Sequence, residues 1–395
     1  MRRSDSLAAQ LLIVLGALGA LGALCTSSAF LAATAQAQSG TDALTARFNT
    51  VCAGAASGSA LAGRCAVVLA SADPNARAIA ANFNDLEEIP GAGRGAARDQ
   101  WPSRVEISTL VTPKLAVFAS VDHARSFRSD DTIEAAFDAD STTFTVGIDW
   151  HPANRWQLGL TLNHAHDNQV FRGSEGRTEA NATGAIAVAS WDANDHVALN
   201  GYLGRTQGSQ DIRRVVAFID GSAPVAETAS PALHRTIGGA AVDANFSHGA
   251  LEWRGSVGFD AARTSIDGYA ESGGSGFDLV VPGRSIATER GRIDLALART
   301  FSAHWGVWQP ELRLGLVHEF GNDARTVGVR FLQDTSGSVV AFDTGAPDRD
   351  WGQATFSSTF VLPHGNSGFI TVGRDFGHST STATQFAIGW RLELK

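Results

Sequence analysis

The stretch WHPANRWQLGLTLNHAH, residues 150–166, decides the fold. From Trp156 its residues alternate. Trp156, Leu158, Leu160 and Leu162 fall on one side, and Gln157, Gly159, Thr161 and Asn163 on the other. A period of two is that of a β-strand, whose successive side chains point to opposite faces. HPANR (151–155) leaves room for a tight turn, and a tryptophan closes it on each side, Trp150 and Trp156.

The same grammar recurs along the chain. LEWRGSVGFDA (251–261) sets Leu251, Trp253, Val257, Phe259 and Ala261 against Glu252, Arg254, Ser256 and Asp260. WQPELRLGL (308–316) and TATQFAIGWRLEL (382–394) repeat it, and twelve such stretches fill Leu115 to Leu394. Their connections alternate in length. The short ones are HPANR, DAND (192–195), SHGA (247–250), SAHW (302–305) and PHGN (363–366). Between them lie longer polar ones, about 128–140, 168–179, 209–232, 266–286 and 320–350. A final short connection near 377–380 breaks the alternation. A soluble sandwich has no reason to sort its connections by side, whereas an outer-membrane barrel has tight periplasmic turns and roomy outer loops. Trp150, Trp156, Trp191, Trp253, Trp305 and Trp308 cluster at strand ends near the short turns, as in an interfacial aromatic belt.

The expected fold is therefore all-β: a transmembrane antiparallel β-barrel of about twelve strands, residues 114–395. Its polar face becomes a wet lumen. Mid-strand opposite charges nominate Glu252, Arg254, Arg292, Asp294, Glu311, Arg313, Arg391 and Glu393 as lumen-lining residues. An even strand count puts both barrel ends on one side. With short turns facing the periplasm, the N-terminal segment and Lys395 are expected at the periplasmic rim.

The chain opens with Arg2 and Arg3, an apolar run from Leu11 to Leu24, and Ala35-Gln36-Ala37, an A-x-A cleavage signal. Fourteen apolar residues fall short of the ~20 that span a bilayer as a helix. Residues 1–37 therefore read as a signal peptide, and bulky Leu24 argues against a lipid anchor at Cys25. The formal charge is −9. The removed segment carries Arg2, Arg3 and Asp5, a net +1, so the remainder stands at about −10, which excludes a nucleic-acid-binding role built on basic patches.

Residues 38–113 differ from the rest. They are Ala-rich, and Leu44, Phe48, Val51 and Cys52, then Leu61, Cys65, Val68 and Leu69, recur at helical spacing about AGAASGSA (53–60). In an exported chain Cys52 and Cys65 read as a disulfide closing a helical hairpin, which contributes about 3 kcal/mol in the chain-entropy model. A third helix is expected from Ala76 to Leu86. The segment reads equally as a small cap or partly ordered leader, or as a plug or spanning segment for the pore.

LVHEFGNDARTVGVRF (316–331), PDRDW (347–351), GFITVGRDFG (368–377) and FAIGWRLEL (386–394) resemble the C-terminal stretch of autotransporter β-domains, the translocator barrels of type V secretion. The resemblance spans about 110 to 395. It implies a twelve-stranded barrel in the outer membrane of a Gram-negative bacterium, a helix in or near the pore, and outer-membrane lipid as solvent. It also implies insertion by the barrel-assembly machinery, with periplasmic chaperones, guided by the last strand. Two departures stand out. About 75 residues, with no repeated strand pattern of a β-helical passenger, lie between the cleavage signal and the first strand. The chain also ends Leu394-Lys395, where the family usually ends on an aromatic.

Chemistry is sparse. His164 and His166 share a strand face, so they could bind a metal, but no complement lies nearby. His318 and Glu319 point to opposite faces. No G-x-S-x-G, H-E-x-x-H or Walker A sequence occurs. The expectation is a non-enzymatic translocator barrel needing no metal or cofactor. The alternatives are a passive pore or surface adhesin, and a rim lipase or protease.

Overall fold

Twelve long strands close into one antiparallel ring. They are β1 (Leu115–Arg128), β2 (Phe137–Ala153), β3 (Trp156–Phe171), β4 (Arg177–Asp192), β5 (Val197–Val216) and β6 (Ala232–His248), then β7 (Leu251–Ile266), β8 (Arg284–Arg299), β9 (Gly306–Glu319), β10 (Asp350–Leu362), β11 (Asn366–Phe376) and β12 (Ser381–Leu394). Each pairs with its neighbours in sequence. The seam joins first to last in unbroken register from Leu115↔Leu394 to Arg128↔Ser381. The structure is a computed structural model and describes residues 49–70, 115–129, 136–172, 176–218, 221–321, 326–343, 348–363 and 366–394. All lie within one compact unit, Leu44–Lys395. The expected signal peptide and the expected helix at 76–86 fall outside the described residues.

Closure removes every edge of this ring, which is what lets its strands lie in hydrocarbon without unpaired backbone groups. The outer wall matches that solvent. Phe144, Val146, Leu160, Leu162, Leu203, Val257, Leu314, Leu316, Phe356 and Ile388 all face out, and Leu203 and Leu316 are each 66% exposed. A continuous apolar band this wide belongs against lipid. At the short-turn end it is bounded by Trp150, Trp156, Trp191, Trp253 and Trp305, with Trp156 stacked on Trp191 at 6.2 Å.

The short turns occur where the sequence places them. Two of the long connections start later than the sequence suggests, because β3 and β5 run on past the apolar band. β5 continues to Val216, and the connection expected from about 209 begins after it. The long connections are also not simple loops. Val225–Ala229 pairs with the end of β5. Tyr269–Ala270, Leu279–Val281, Thr326–Phe331 and Val340–Asp343 form a separate four-stranded sheet.

The second core of the molecule lies at this long-loop end. Residues 49–54 (α1) and Ala60–Ala70 (α2) form the expected hairpin, tied by Cys52–Cys65 with the Cα atoms 5.5 Å apart. Gly58 supplies the turn at φ +75°, a conformation that L side chains rarely adopt, and the Ser59 hydroxyl caps α2 by accepting the Ala62 N–H. Val51, Leu61, Cys65 and Val68 are buried against Val216, Phe277, Leu279, Val281, Val329, Phe331 and Val340. Leu69 departs from the expected face and is exposed.

This placement overturns one expectation. Both barrel ends do lie at the short-turn rim, where Leu115 pairs with Trp150 and Leu394. The helical hairpin sits at the opposite rim. The apolar stripe of α2 found its partner in connections more than 150 residues away in sequence, which strand counting cannot register.

Candidate functional site

Alternation along each strand sends one residue in two inward, and the inward set is polar. It encloses a cavity of about 350 Å³ lined by, among others, Arg254, Arg292, Asp294, Glu311, Arg313 and Arg391. Glu252 and Glu393 share the inward parity and lie one pair nearer the short-turn rim.

Register, more than local spacing, decides how these charges meet. Arg254 Nη1 reaches Glu311 Oε2 at 3.3 Å across the intervening strand β8, where small Ala296 and Ala298 leave room. Arg313 Nη2 takes the other oxygen of Glu311 at 3.0 Å. Glu252, expected to pair with Arg254, accepts Gln309 Nε2 at 3.0 Å and Thr300 Oγ1 at 3.4 Å. Arg292 and Asp294 do form a pair within one strand, at 3.0 Å. Arg391 lies 3.7 Å from Asp149 and 4.0 Å from Glu393.

Several lumen groups had no local partner in sequence and were passed over. Asp122, Asp149 and Asp167 line the cavity from β1, β2 and β3. Arg235 and Arg290 line it from β6 and β8, with Asp260 held by Tyr202 Oη at 2.7 Å. Their signal was parity: each falls on the non-lipid face of its strand. Of the charges that line the cavity, those on β1–β3 are carboxylates, whereas β6–β9 carry most of the arginines together with Asp260, Asp294 and Glu311.

At the long-loop rim the contacts fix the hairpin. Leu61 N donates to Gln333 Oε1 at 2.9 Å, Thr335 N to the Gly54 carbonyl at 3.0 Å, and Arg64 stacks over Phe218 at 3.6 Å. Beneath it Arg214 and Glu271 are 0% and 1% exposed, and Arg214 Nε donates to Glu271 Oε1 at 2.9 Å. Arg214 Nη2 also donates to the Phe277 carbonyl, while Leu279 N donates to Glu271 Oε2. This network ties β5 to the β7–β8 connection.

The histidines singled out in the sequence bond to polar neighbours. His164 bonds Thr183 at 3.0 Å and His166 bonds Asn181 at 2.9 Å, both on the outward wall. His318 bonds Asp350, and Glu319 points the other way to accept Arg290 Nε at 2.9 Å, matching the opposite faces read from sequence. At the rim His378 faces Asp348 and Asp375, and the nearby Ser379 hydroxyl donates to Asp348 instead of to the imidazole.

The autotransporter beta-domain family model matches residues 117–373. Among solved structures, the translocator domain of the autotransporter NalP from Neisseria meningitidis is similar at 16% identity and TM-score 0.57, over 72% of this chain and 90% of that one. The transport unit of AIDA-I from Escherichia coli is similar at 14% identity and TM-score 0.52, over 73% and 93%. The beta domain of the Bordetella autotransporter BrkA gives 15% and 0.51, over 71% and 100%. At such identities these likenesses speak for the fold. A comparison with the curated proteins finds no match.

Proposed function

This chain belongs to the autotransporter β-domain family, translocator barrels integral to the Gram-negative outer membrane, and from that premise we propose that it delivers its own N-terminal hairpin to the cell surface and keeps it there as a cap. One observation carries the reading. The Cys52–Cys65 hairpin docks at the long-loop rim, while the strand that follows it, β1, starts at the short-turn rim. The chain between Ala70 and Leu115 has to join opposite sides of the membrane. Backbone cannot cross hydrocarbon unpaired, so this reading routes that connection, which lies outside the described residues, through the polar lumen and unites the cap and plug readings of residues 38–113.

In this reading the short turns face the periplasm and the long connections face outside. The barrel catalyses no reaction. Aliphatics on its wall anchor it, and the charged side chains of Glu252, Arg254, Arg292, Asp294, Glu311, Arg313, Arg391 and Glu393 keep the passage wet. Secretion past the inner membrane uses residues 1–37 as signal peptide. Assembly requires periplasmic chaperones and the barrel-assembly machinery, as for an outer-membrane barrel of this kind.

Protease shaving of intact cells, with the cut sites mapped, tests this. Cuts in the long connections and in the 54–60 turn, with none in the short turns, are expected. A hairpin reached only after the outer membrane is permeabilised would overturn the reading.

A further inference from the structure

The outer wall of the barrel carries a pattern that translocation does not use. On β5, β6 and β7 the register aligns Arg205↔Thr236 and Thr236↔Arg263. On β1, β12 and β11 it aligns Arg125↔Thr384 and Thr384↔Arg374. Each is an arginine–threonine–arginine row, with the threonine on the middle strand. All six residues are exposed. β6 and β12 stand six strands apart in a ring of twelve, so the two rows face opposite sides of the barrel.

Their height is also alike. Leu203 lies two residues before Arg205 on the same outward face. Phe386 and Val372, themselves paired, lie one outward step below Thr384 and Arg374. The first row is thus the step beyond Leu203, and the second the step beyond Phe386 and Val372, toward the long-loop rim, with the exposed aromatic Phe376 one step farther out on β11. A guanidinium at that height on the outer wall does not face the lumen or another strand. It faces the headgroup layer.

We propose that these rows are two matched seats for the phosphate groups of outer-leaflet lipid headgroups. The planar guanidinium binds phosphate through two parallel N–H bonds, and a threonine hydroxyl adds a third donor. Two strand spacings put the arginine Cα atoms about 10 Å apart, within reach of one headgroup from both sides. Competing carboxylates are few. Arg205 and Arg374 make no ion pair among the described residues. Arg263 spends one N–H on Ser285 Oγ at 2.9 Å, and Glu289 lies diagonally below it on β8. Arg125 meets Asp140 at 3.6 Å, with both side chains well hydrated, a weak surface pair that a phosphate displaces. Farther out, Arg172 and Arg177 do have carboxylate partners, Asp138 at 2.7 Å and Glu179 at 3.3 Å, so the rows stand apart from the rest of the rim.

The proposal rests on the orientation above only in naming the leaflet. The test uses the full chain in nanodiscs of phosphatidylcholine with lipid A in both leaflets, so its result does not depend on orientation, which shaving tests separately. Native mass spectrometry counts the lipid A retained. The expected result is two molecules on the parent protein and one on each double variant, Arg205→Gln with Arg263→Gln or Arg125→Gln with Arg374→Gln. The quadruple variant retains none, and dephosphorylated lipid A is retained by no form. Heat-modifiable migration verifies that each variant is a folded barrel, and a variant that fails it is replaced by the Arg→Lys pair, expected to retain lipid A more weakly. Equal retention by the parent and quadruple variants, or retention indifferent to the phosphates, overturns the proposal. Inorganic phosphate added to discs lacking lipid A is the third arm, and retention of that ion as firmly as lipid A would overturn the lipid assignment.

Discussion

At the scale of single residues, the sharpest consequences lie at the long-loop rim, where charge is buried. Arg214 and Glu271 pair with one another with no water access, so removing one partner strands the other. Arg214→Ala is expected to cost about 3–5 kcal/mol locally, while replacing both by apolar residues of similar volume costs far less. Hydrogen exchange over residues 269–281 would show rapid opening in the single variant and near-parent protection in the double. Glu227 and Asp278 make a second buried pair. Glu227 accepts Ser275 N at 3.0 Å, and Asp278 accepts Gly273 N and Gly274 N at 3.1 Å. Burial, aided by contact with Asp278, pushes the Glu227 carboxyl up. Burial also works to raise Asp278, but the hydrogen bond from Glu227 and the N–H groups around it hold its carboxyl low. A raised group lends stability at low pH and loses it as pH rises through its folded value; a lowered group loses it as pH falls through its own. The pair is therefore firmest between the two values and loosens above the upper one, as Glu227 ionises beside Asp278. Glu227→Gln keeps a donor toward Asp278 and should abolish that loosening. Limited proteolysis from about pH 5 to about pH 8 reads it, and equal profiles for variant and parent would refute the shared proton.

At the scale of elements, the hairpin depends on one close approach. Gly276 has φ +89°, and a Cβ there would meet the backbone of Ala60 and Leu61 at 2.6 and 2.8 Å. Neither group is a flexible side-chain end that can swing away. Gly276→Ala is expected to undock α1 and α2 at a cost above about 1 kcal/mol, making the 54–60 turn more protease-sensitive while the barrel stays heat-modifiable. An unchanged cleavage rate would show that the loop shifts at no cost. Reducing Cys52–Cys65 should act in the same direction through the unfolded state, since the bond closes a short loop on an element with little core of its own. The elements also show how far spacing alone reaches. The period of two in WQLGLTLNHAH names a strand and its lipid face, because both follow from adjacent residues. The helical spacing of Leu61, Cys65 and Val68 names a buried stripe. Neither names the surface that covers it, and Leu69, given to that stripe by spacing, lies outside it.

At the scale of the whole molecule, the proposed route of the N-terminal segment through the lumen predicts a barrel that conducts poorly. Single-channel recording of the purified protein with and without residues 38–113 tests it, with larger conductance expected after deletion. No change would remove that segment from the lumen. Fold, strand number and wall polarity were legible because a barrel repeats one local rule around a ring. The lumen was legible only in part. Arg292 and Asp294 declare themselves two residues apart, whereas Arg254 finds Glu311 through register across β8, and Asp122, Asp149 and Asp167 have no arginine or lysine two residues away on their own strand face to mark them.

The amino-acid sequence by itself determined the membrane class, the antiparallel ring, the short-turn rim with its tryptophans, and the cysteine pair. Each is a short-range property: alternation, turn length, or two cysteines in an exported chain. The tertiary structure decided where the hairpin docks, which charges meet in the lumen, and that two arginine–threonine–arginine rows align on opposite walls. Those depend on residues brought together by strand register and chain closure, whose pairings run from neighbours in a hairpin to the first and last strands of the chain, and no local pattern carries that distance.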